Sequence, residues 1–246
     1  MMQQSPFDRY ATLVLKRDFS AYWFSIRDFG NSNPSIVPYI NIDPHLICSF
    51  MNVGVIRRLW SKNNAYINST WRPSVDDTRL VVDAVPTLFG GSQVTYRTSG
   101  AYDGSRNPGL WINHTSAWLS VGANDRNLGV SLTVDVPLHI DLAVKNGSIT
   151  GSINDSVVNT TYGGSQLTCQ RTSWIFAANE GAGTGFNPYI GISRYTIYAG
   201  GVKVRDFVPY KSANDVCGFL DLVNFVFYEN MSSTAGSQLY TTETPT

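Results

Sequence analysis

The chain has 246 residues, enough for one large domain with a substantial core. Charged residues make up 15% of it, against about 25% in an average globular protein, while aromatic residues reach 13% and the formal net charge is zero. Nothing in that balance suggests an electrostatic phosphate-binding surface, so no nucleic-acid partner is expected, and the pairs Lys16-Arg17 and Arg57-Arg58 read as solvated ends of elements.

The opening stretch, MMQQSPFDRYATLVLKRDFS, has no cationic segment followed by a long apolar one, so no ordinary export signal is expected. "DFSAYWFSIRDFG" and "SIVPYINIDP" are aromatic and strand-like, too apolar for a disordered tail. Residues 45–60, HLICSFMNVGVIRRLW, are the best helix candidate, although Asn52 to Val55 also suit a strand. From there on strand patterns dominate. "TRLVVDAV" (78–85) alternates, and "GLWINHTSAWLSVG" (109–122) reads as two strands around a polar turn. In 129–144, Val130, Leu132, Val134 and Val136 share one face, Pro137 marks an edge or bend, and Ile140, Leu142 and Val144 resume the pattern. Asn146-Gly147 is a strong hairpin signal.

"RYTIYAGGVKVRDFVPY" (194–210) reads as a hairpin about Gly200-Gly201. That turn sets Ala199 opposite Val202 and Ile197 opposite Val204 on a core-facing side, with Tyr198 opposite Lys203 and Thr196 opposite Arg205 on the other. "GFLDLVNFVFYEN" then supplies another strand pair, broken near Asp221–Asn224. Turn signals spaced about ten residues apart predict an antiparallel sandwich or barrel rather than βαβ units. No apolar run reaches membrane-spanning length. Cys48, Cys169 and Cys217 show no framework or metal-ligand spacing and are expected as free thiols. Six N-x-S/T matches, at Asn68, Asn113, Asn146, Asn154, Asn159 and Asn230, are assigned no glycans.

These residues also carry a resemblance. Ile175-Phe176-Ala177-Ala178-Asn179, Gly191 to Tyr198, Val204-Arg205-Asp206-Phe207-Val208-Pro209, Gly218 to Asn224 and Val226 to Asn230 occur in order. With "NNAYINSTWRPSVDDTRLVVDA" (63–84) and "TLFGG" (87–91), they are similar to the motifs of concanavalin A-like, laminin-G-like jelly-roll domains of phage and prophage structural proteins. Phe219-Leu220 and Phe225 depart locally from that pattern. The resemblance implies an all-β antiparallel jelly-roll β-sandwich over 60–237; residues 1–59 fall outside it and are expected to form an attachment or oligomerisation segment or to complete the sandwich, and 238–246 are expected as a polar tail. It also implies carbohydrate or protein recognition and placement on a virion surface; a bacterial cell surface is the alternative, and a homo-oligomer beside other virion proteins is expected.

Catalytic chemistry finds little footing. A glycosidase of this sandwich type needs paired carboxylates on one strand, whereas the three glutamates, Glu180, Glu229 and Glu243, stand apart and Asp76-Asp77 would point to opposite faces. No G-x-S-x-G elbow occurs, His45, His114 and His139 are isolated, and the Gly-rich stretch 181–186 reads as a loop. His139, between Leu138 and Ile140, reads as structural. No cofactor is expected, and calcium lacks its D-x-[DN]-x-[DN]-G loop. Binding a host-surface glycan needs aromatic faces beside amide, carboxylate and guanidinium groups. The stretches 99–111, 122–129 and 178–189, read as end loops, offer Tyr102, Asp103, Arg106, Trp111, Asn124, Asp125, Arg126, Asn179 and Glu180. Trp111 and Trp118 read first as core residues. The leading expectation is a non-enzymatic glycan- or surface-binding virion component, such as a fibre, decoration or host-attachment protein. A scaffold without a small ligand comes second, and a glycoside hydrolase or polysaccharide lyase third.

Overall fold

The computed structural model describes residues 12–14, 23–25, 56–73, 77–87, 96–102, 106–112, 116–122, 124–163, 169–180 and 190–242. No helix occurs among them. In chain order the strands are β1 (Thr12–Val14), β2 (Trp23–Ser25), β3 (Trp60–Lys62), β4 (Ile67–Asn68), β5 (Thr78–Pro86), β6 (Tyr96–Arg97), β7 (Ser99–Gly100) and β8 (Arg106–Ile112). Then come β9 (Ser116–Gly122), β10 (Asn124–Ser131), β11 (Leu138–Lys145), β12 (Ser148–Ile153), β13 (Ser156–Thr161) and β14 (Trp174–Ile175). The last are β15 (Ile190–Ala199), β16 (Val202–Lys211), β17 (Cys217–Asp221), β18 (Val226–Tyr228) and β19 (Gln238–Tyr240). β1 pairs antiparallel with β2. The helix candidate at 45–60 lies outside the described residues except for its last five, where Leu59 bridges Ile192 and Trp60 begins a strand.

One layer is an eight-stranded antiparallel sheet in the order β13-β12-β11-β5-β15-β16-β17-β18. A second layer joins β10-β9-β8-β6 to β7-β14-β4. The seam is Thr98, whose N–H donates to Leu110 O (2.8 Å) and whose carbonyl accepts from Phe176 N (2.7 Å). Strict alternation drives the packing: Leu80, Val82 and Ala84 of β5, and Leu138, Ile140, Leu142 and Val144 of β11, all face inward. They meet Leu110 and Ile112 of β8 and Ala117, Leu119 and Val121 of β9 in one core. The fold is therefore an all-β antiparallel sandwich, consistent with a jelly roll. Across it, Ser99 Oγ and the Tyr195 hydroxyl lie 2.6 Å apart, both buried. Tyr195→Phe leaves that serine without its hydroxyl partner and should cost about 1–2 kcal/mol in a denaturation curve.

The sandwich is longer at both ends than 60–237. Ile56 and Leu59 are core residues, and Leu59 exchanges two backbone bonds with Ile192 (3.0 and 2.9 Å). The Trp60 ring occupies the place where a Gly191 side chain would be. At the other end, β19 pairs with β3 and buries Leu239, so 238–240 is structure rather than polar tail. A single leucine flanked by polar residues is a weak strand signal, and its long-range partner decides.

Turns follow the sequence closely. Asn146 and Gly147 take positive φ and set Lys145 opposite Ser148. Residues 222–225 form the turn between β17 and β18. Cys169 and Cys217 are free thiols. In 129–144, however, only Leu132 of the first four is buried, because β10 ends at Ser131 and 134–136 turn away toward Pro137.

The hairpin at Gly200-Gly201 has the predicted start, Ala199 opposite Val202 and Tyr198 opposite Lys203. Val202 is 65% exposed at the tip rather than packed. A bulge then shifts the register, so Ile197 faces Arg205 and Thr196 faces Asp206. The extra residue sends Asp206 to the outer face. There it accepts from Arg194 (2.8 Å), Thr196 (3.0 Å) and Lys203 (2.9 Å). Arg205 turns inward, donating to Ser69 O (3.0 Å) and Thr70 Oγ1 (3.1 Å), with its Nε 3.6 Å from Asp221.

Burial pushes the Asp206 carboxyl up, and the bonds and charges of Arg194 and Lys203 pull it further down, below the usual carboxylate range. A depressed folded value adds stability above the unfolded value of about 3.9 and loses it as pH falls through the folded one. Stability should therefore decline more steeply below about pH 4. Asp206→Asn should flatten that decline while lowering neutral-pH stability, as read from urea midpoints at stepped pH.

Candidate functional site

The second layer carries the candidate site on its outer face. Along β8, Leu110 and Ile112 point into the core, so Trp111 points out; along β9, Ala117 and Leu119 point in, so Trp118 points out. Trp111 and Trp118 are direct cross-strand partners, both half-buried and outside the core cluster. The row continues in register to exposed Asn127 on β10. The Trp118 indole N–H donates to Ser116 Oγ (2.9 Å), which fixes the ring. One row along, Ser120 donates to Asp125 Oδ1 (2.6 Å) from the neighbouring strand. A strip thus runs from two indoles and an amide to a hydroxyl–carboxylate pair.

At the near end of this layer the chain segments converge. β7 continues through Ala101, which bridges Asn179, and Tyr102 N–H donates to Asn179 O (2.8 Å). β8 begins there with Arg106 opposite Gly122, and β10 begins there with Asn124 opposite Val121. Tyr102 is 36% exposed, and Glu180 follows Asn179 half-buried. The Asn179 amide donates to Thr172 O (3.0 Å), so it shapes the turn.

The nine predicted residues therefore divide. Tyr102, Arg106, Asn124, Asn179 and Glu180 gather at this end, and Asp103 lies outside the described residues. Trp111 stands five residues up β8 from Arg106, about 17 Å along the strand. It is not a core residue, contrary to the first reading, because its neighbours Leu110 and Ile112 take the inward places. Nor is 122–129 a loop: β9 runs to Gly122 and β10 starts at Asn124, so Asp125 and Arg126 are strand residues on opposite faces. Arg126 sits opposite buried Leu119 on the core side, with Gly163 nearby. Trp118, Ser120 and Asn127 join the strip without having been predicted for it; the alternation of 116–121 around Ala117, Leu119 and Val121 was the available signal.

The outer face of the eight-stranded sheet is different in kind. Arg79 and Asp141 form a two-pronged pair (2.6 Å for one bond), and His139 Nδ1 lies 2.6 Å from Asp83. Lys145 meets Asp77 at 3.2 Å. His139 is thus an exposed polar residue, its flanking core residues having turned it outward. The bond with Arg79, its largest influence, holds the Asp141 carboxyl below the usual range. Such exposed pairs satisfy each other and contribute little stability. Among the described residues no group of three or more His, Cys, Asp or Glu is placed to hold a metal ion.

No family model matches the chain, and no curated protein matches it. Solved structures give distant likenesses. Trypanosoma rangeli sialidase, in complex with 2,3-difluorosialic acid, is 13% identical over 50% of this chain and 21% of its own, with a TM-score of 0.39. Tailspike protein 2 of Escherichia coli O157:H7 bacteriophage CAB120 is 14% identical over 57% of this chain and 22% of its own, with a TM-score of 0.39. The alginate lyase AlgAT5, of polysaccharide lyase family 7, is 11% identical over 57% and 62%, with a TM-score of 0.34. This chain spans about a fifth of the sialidase and tailspike chains. At these scores none of the three assigns it a family or an activity.

Proposed function

We infer that this chain is a non-enzymatic, concanavalin A-like module of a phage particle that binds a host-surface glycan through the outer strip of its second layer. The observation that carries the binding reading is the Trp111–Trp118 pair, turned away from the core beside Asn127 and the Ser120–Asp125 pair. Indole faces suit the C–H faces of sugar rings, and the Asn127 amide and the Asp125 carboxylate, held by buried Ser120, suit their hydroxyl groups. The virion placement rests on the sequence resemblance. The motif residues Arg205, Asp206, Asp221 and Asn224 join in one network inside the fold. Weak single sites would gain from repetition on a particle.

A glycan array probed with the full chain tests the reading. Trp111→Ala and Trp118→Ala should lower the signal about tenfold or more, while the melting temperature falls by only a few degrees, because both rings stand outside the core and lose only their cross-strand contact. Asp125→Ala should reduce it less. Binding unaffected by either tryptophan, or no glycan bound by the wild type, would remove the proposal. The upstream residues are assigned attachment or oligomerisation. A truncation that asks this must begin before Ile56, since Ile56 and Leu59 belong to the core. Light scattering that finds the same assembly with and without residues 1–50 would set that role aside.

A further inference from the structure

We propose that β13 is a self-association edge, through which two copies of this chain pair antiparallel about a two-fold axis at Asn159. This edge belongs to the other layer from the tryptophan strip. β13 is the last strand of the eight-stranded sheet and, among the described residues, is hydrogen-bonded only to β12, with an unbroken register from Ile153–Ser156 to Ser148–Thr161. The two-residue turn at Asn154-Asp155 makes Ile153 and Ser156 a hydrogen-bonded pair. Antiparallel alternation then directs Val158 and Thr160 toward β12 and leaves the N–H and C=O of Val157, Asn159 and Thr161 facing outward. β10 approaches β13 from the other layer but forms no ladder with it.

Natural edges of this kind are guarded by lysine, proline, bulges or covering loops. β13, Ser-Val-Val-Asn-Thr-Thr, has none of these residues and no bulge, and its Val157 is 82% exposed. The opposite edge, β18, is three residues long, and the chain beyond it bonds back to the sandwich through Met231 N–H to Tyr66 O (3.0 Å). Among the described residues, open pairing is therefore a feature of one edge of this sheet.

The occupant that fits is a second copy. With the axis at Asn159, its amide meets the partner's Asn159, and each Val157 lies opposite the partner's Thr161. That is one amide pair flanked by two pairs of β-branched residues, whose shape suits a pleated surface. β13 carries no charge, and the chain's formal net charge is zero, so no like charges meet and no long-range repulsion opposes approach. The contact uses the same edge on both copies, so it closes at two and extends the sheet from eight strands to sixteen.

Sedimentation velocity on the full chain over a wide concentration range tests this. A monomer–dimer equilibrium is expected, weakened about tenfold or more by Val157→Lys and by Asn159→Pro. Neither change removes a backbone bond to β12, so circular dichroism and melting should match the wild type. Val157→Thr should dimerise as the wild type does. A monomer at every concentration, a trimer or open polymer, or a dimer indifferent to both Val157→Lys and Asn159→Pro would overturn it.

Discussion

Asp221→Ala is expected to lower the unfolding free energy by about 3–5 kcal/mol, the range for removing one partner from a buried ionic network. Asp221 is fully buried, on the inner side of β17. Its carboxylate accepts from Asp206 N–H (2.9 Å), Val223 N–H (3.0 Å) and the Asn224 side chain (2.8 Å), with Arg205 Nε at 3.6 Å. Alanine leaves two backbone N–H groups without their acceptor and the mostly buried Arg205 without its counter-charge. The melting temperature should fall on the order of 10 °C for a chain of this size. Asp221→Asn keeps an acceptor in place and should cost less. A loss below about 1 kcal/mol in urea titration would mean that solvent reaches this network.

Gly151→Ala is expected to be comparably severe. Gly151 lies on β12 opposite Leu142, with φ +143°, a conformation that side-chain-bearing residues rarely adopt. A β-carbon there would stand 1.9 Å from the Asp141 carbonyl oxygen and 3.1 Å from Leu142 Cα. Both obstacles are backbone, so no rotamer change relieves them. Strain and overpacking together should cost about 3 kcal/mol or more. Gly129→Ala, also at positive φ but with open space around it, isolates the conformational part and should cost about 1 kcal/mol. Equal losses at the two positions would show that the close approach to β11 does not matter.

The strands and their turns were legible because each rests on local chemistry. Period-two alternation marked β5, β8, β9 and β11, and Asn146-Gly147 and Gly200-Gly201 marked their hairpins. The register beyond the second hairpin was not legible. Ile197 and Val204 look like natural partners, but the bulge places Arg205 there, and the compensation comes from distant groups: Asp221, Ser69 and Thr70 for Arg205, and Arg194 for Asp206. Phe225, noted as out of place in a turn, takes a left-handed φ of 55°, held by its N–H to Asp221 O (2.7 Å).

For the candidate site, residue types were legible and their arrangement was not. Tyr102, Arg106, Asn124, Asn179 and Glu180 converge because β7, β8, β10 and the 179–180 segment reach the same end of one layer, which no spacing along the chain reports. Trp111 and Trp118 could have been assigned outward from Leu110, Ile112, Ala117 and Leu119 alone. The general tendency of tryptophan to be buried argued the other way.

The most direct test follows the indole N–H resonances of the full chain while the best glycan from the array is added. The Trp111 and Trp118 signals should move with saturation, while that of Trp60, packed against Gly191, stays fixed. Saturable binding that leaves both Trp111 and Trp118 unmoved would contradict glycan binding by this strip.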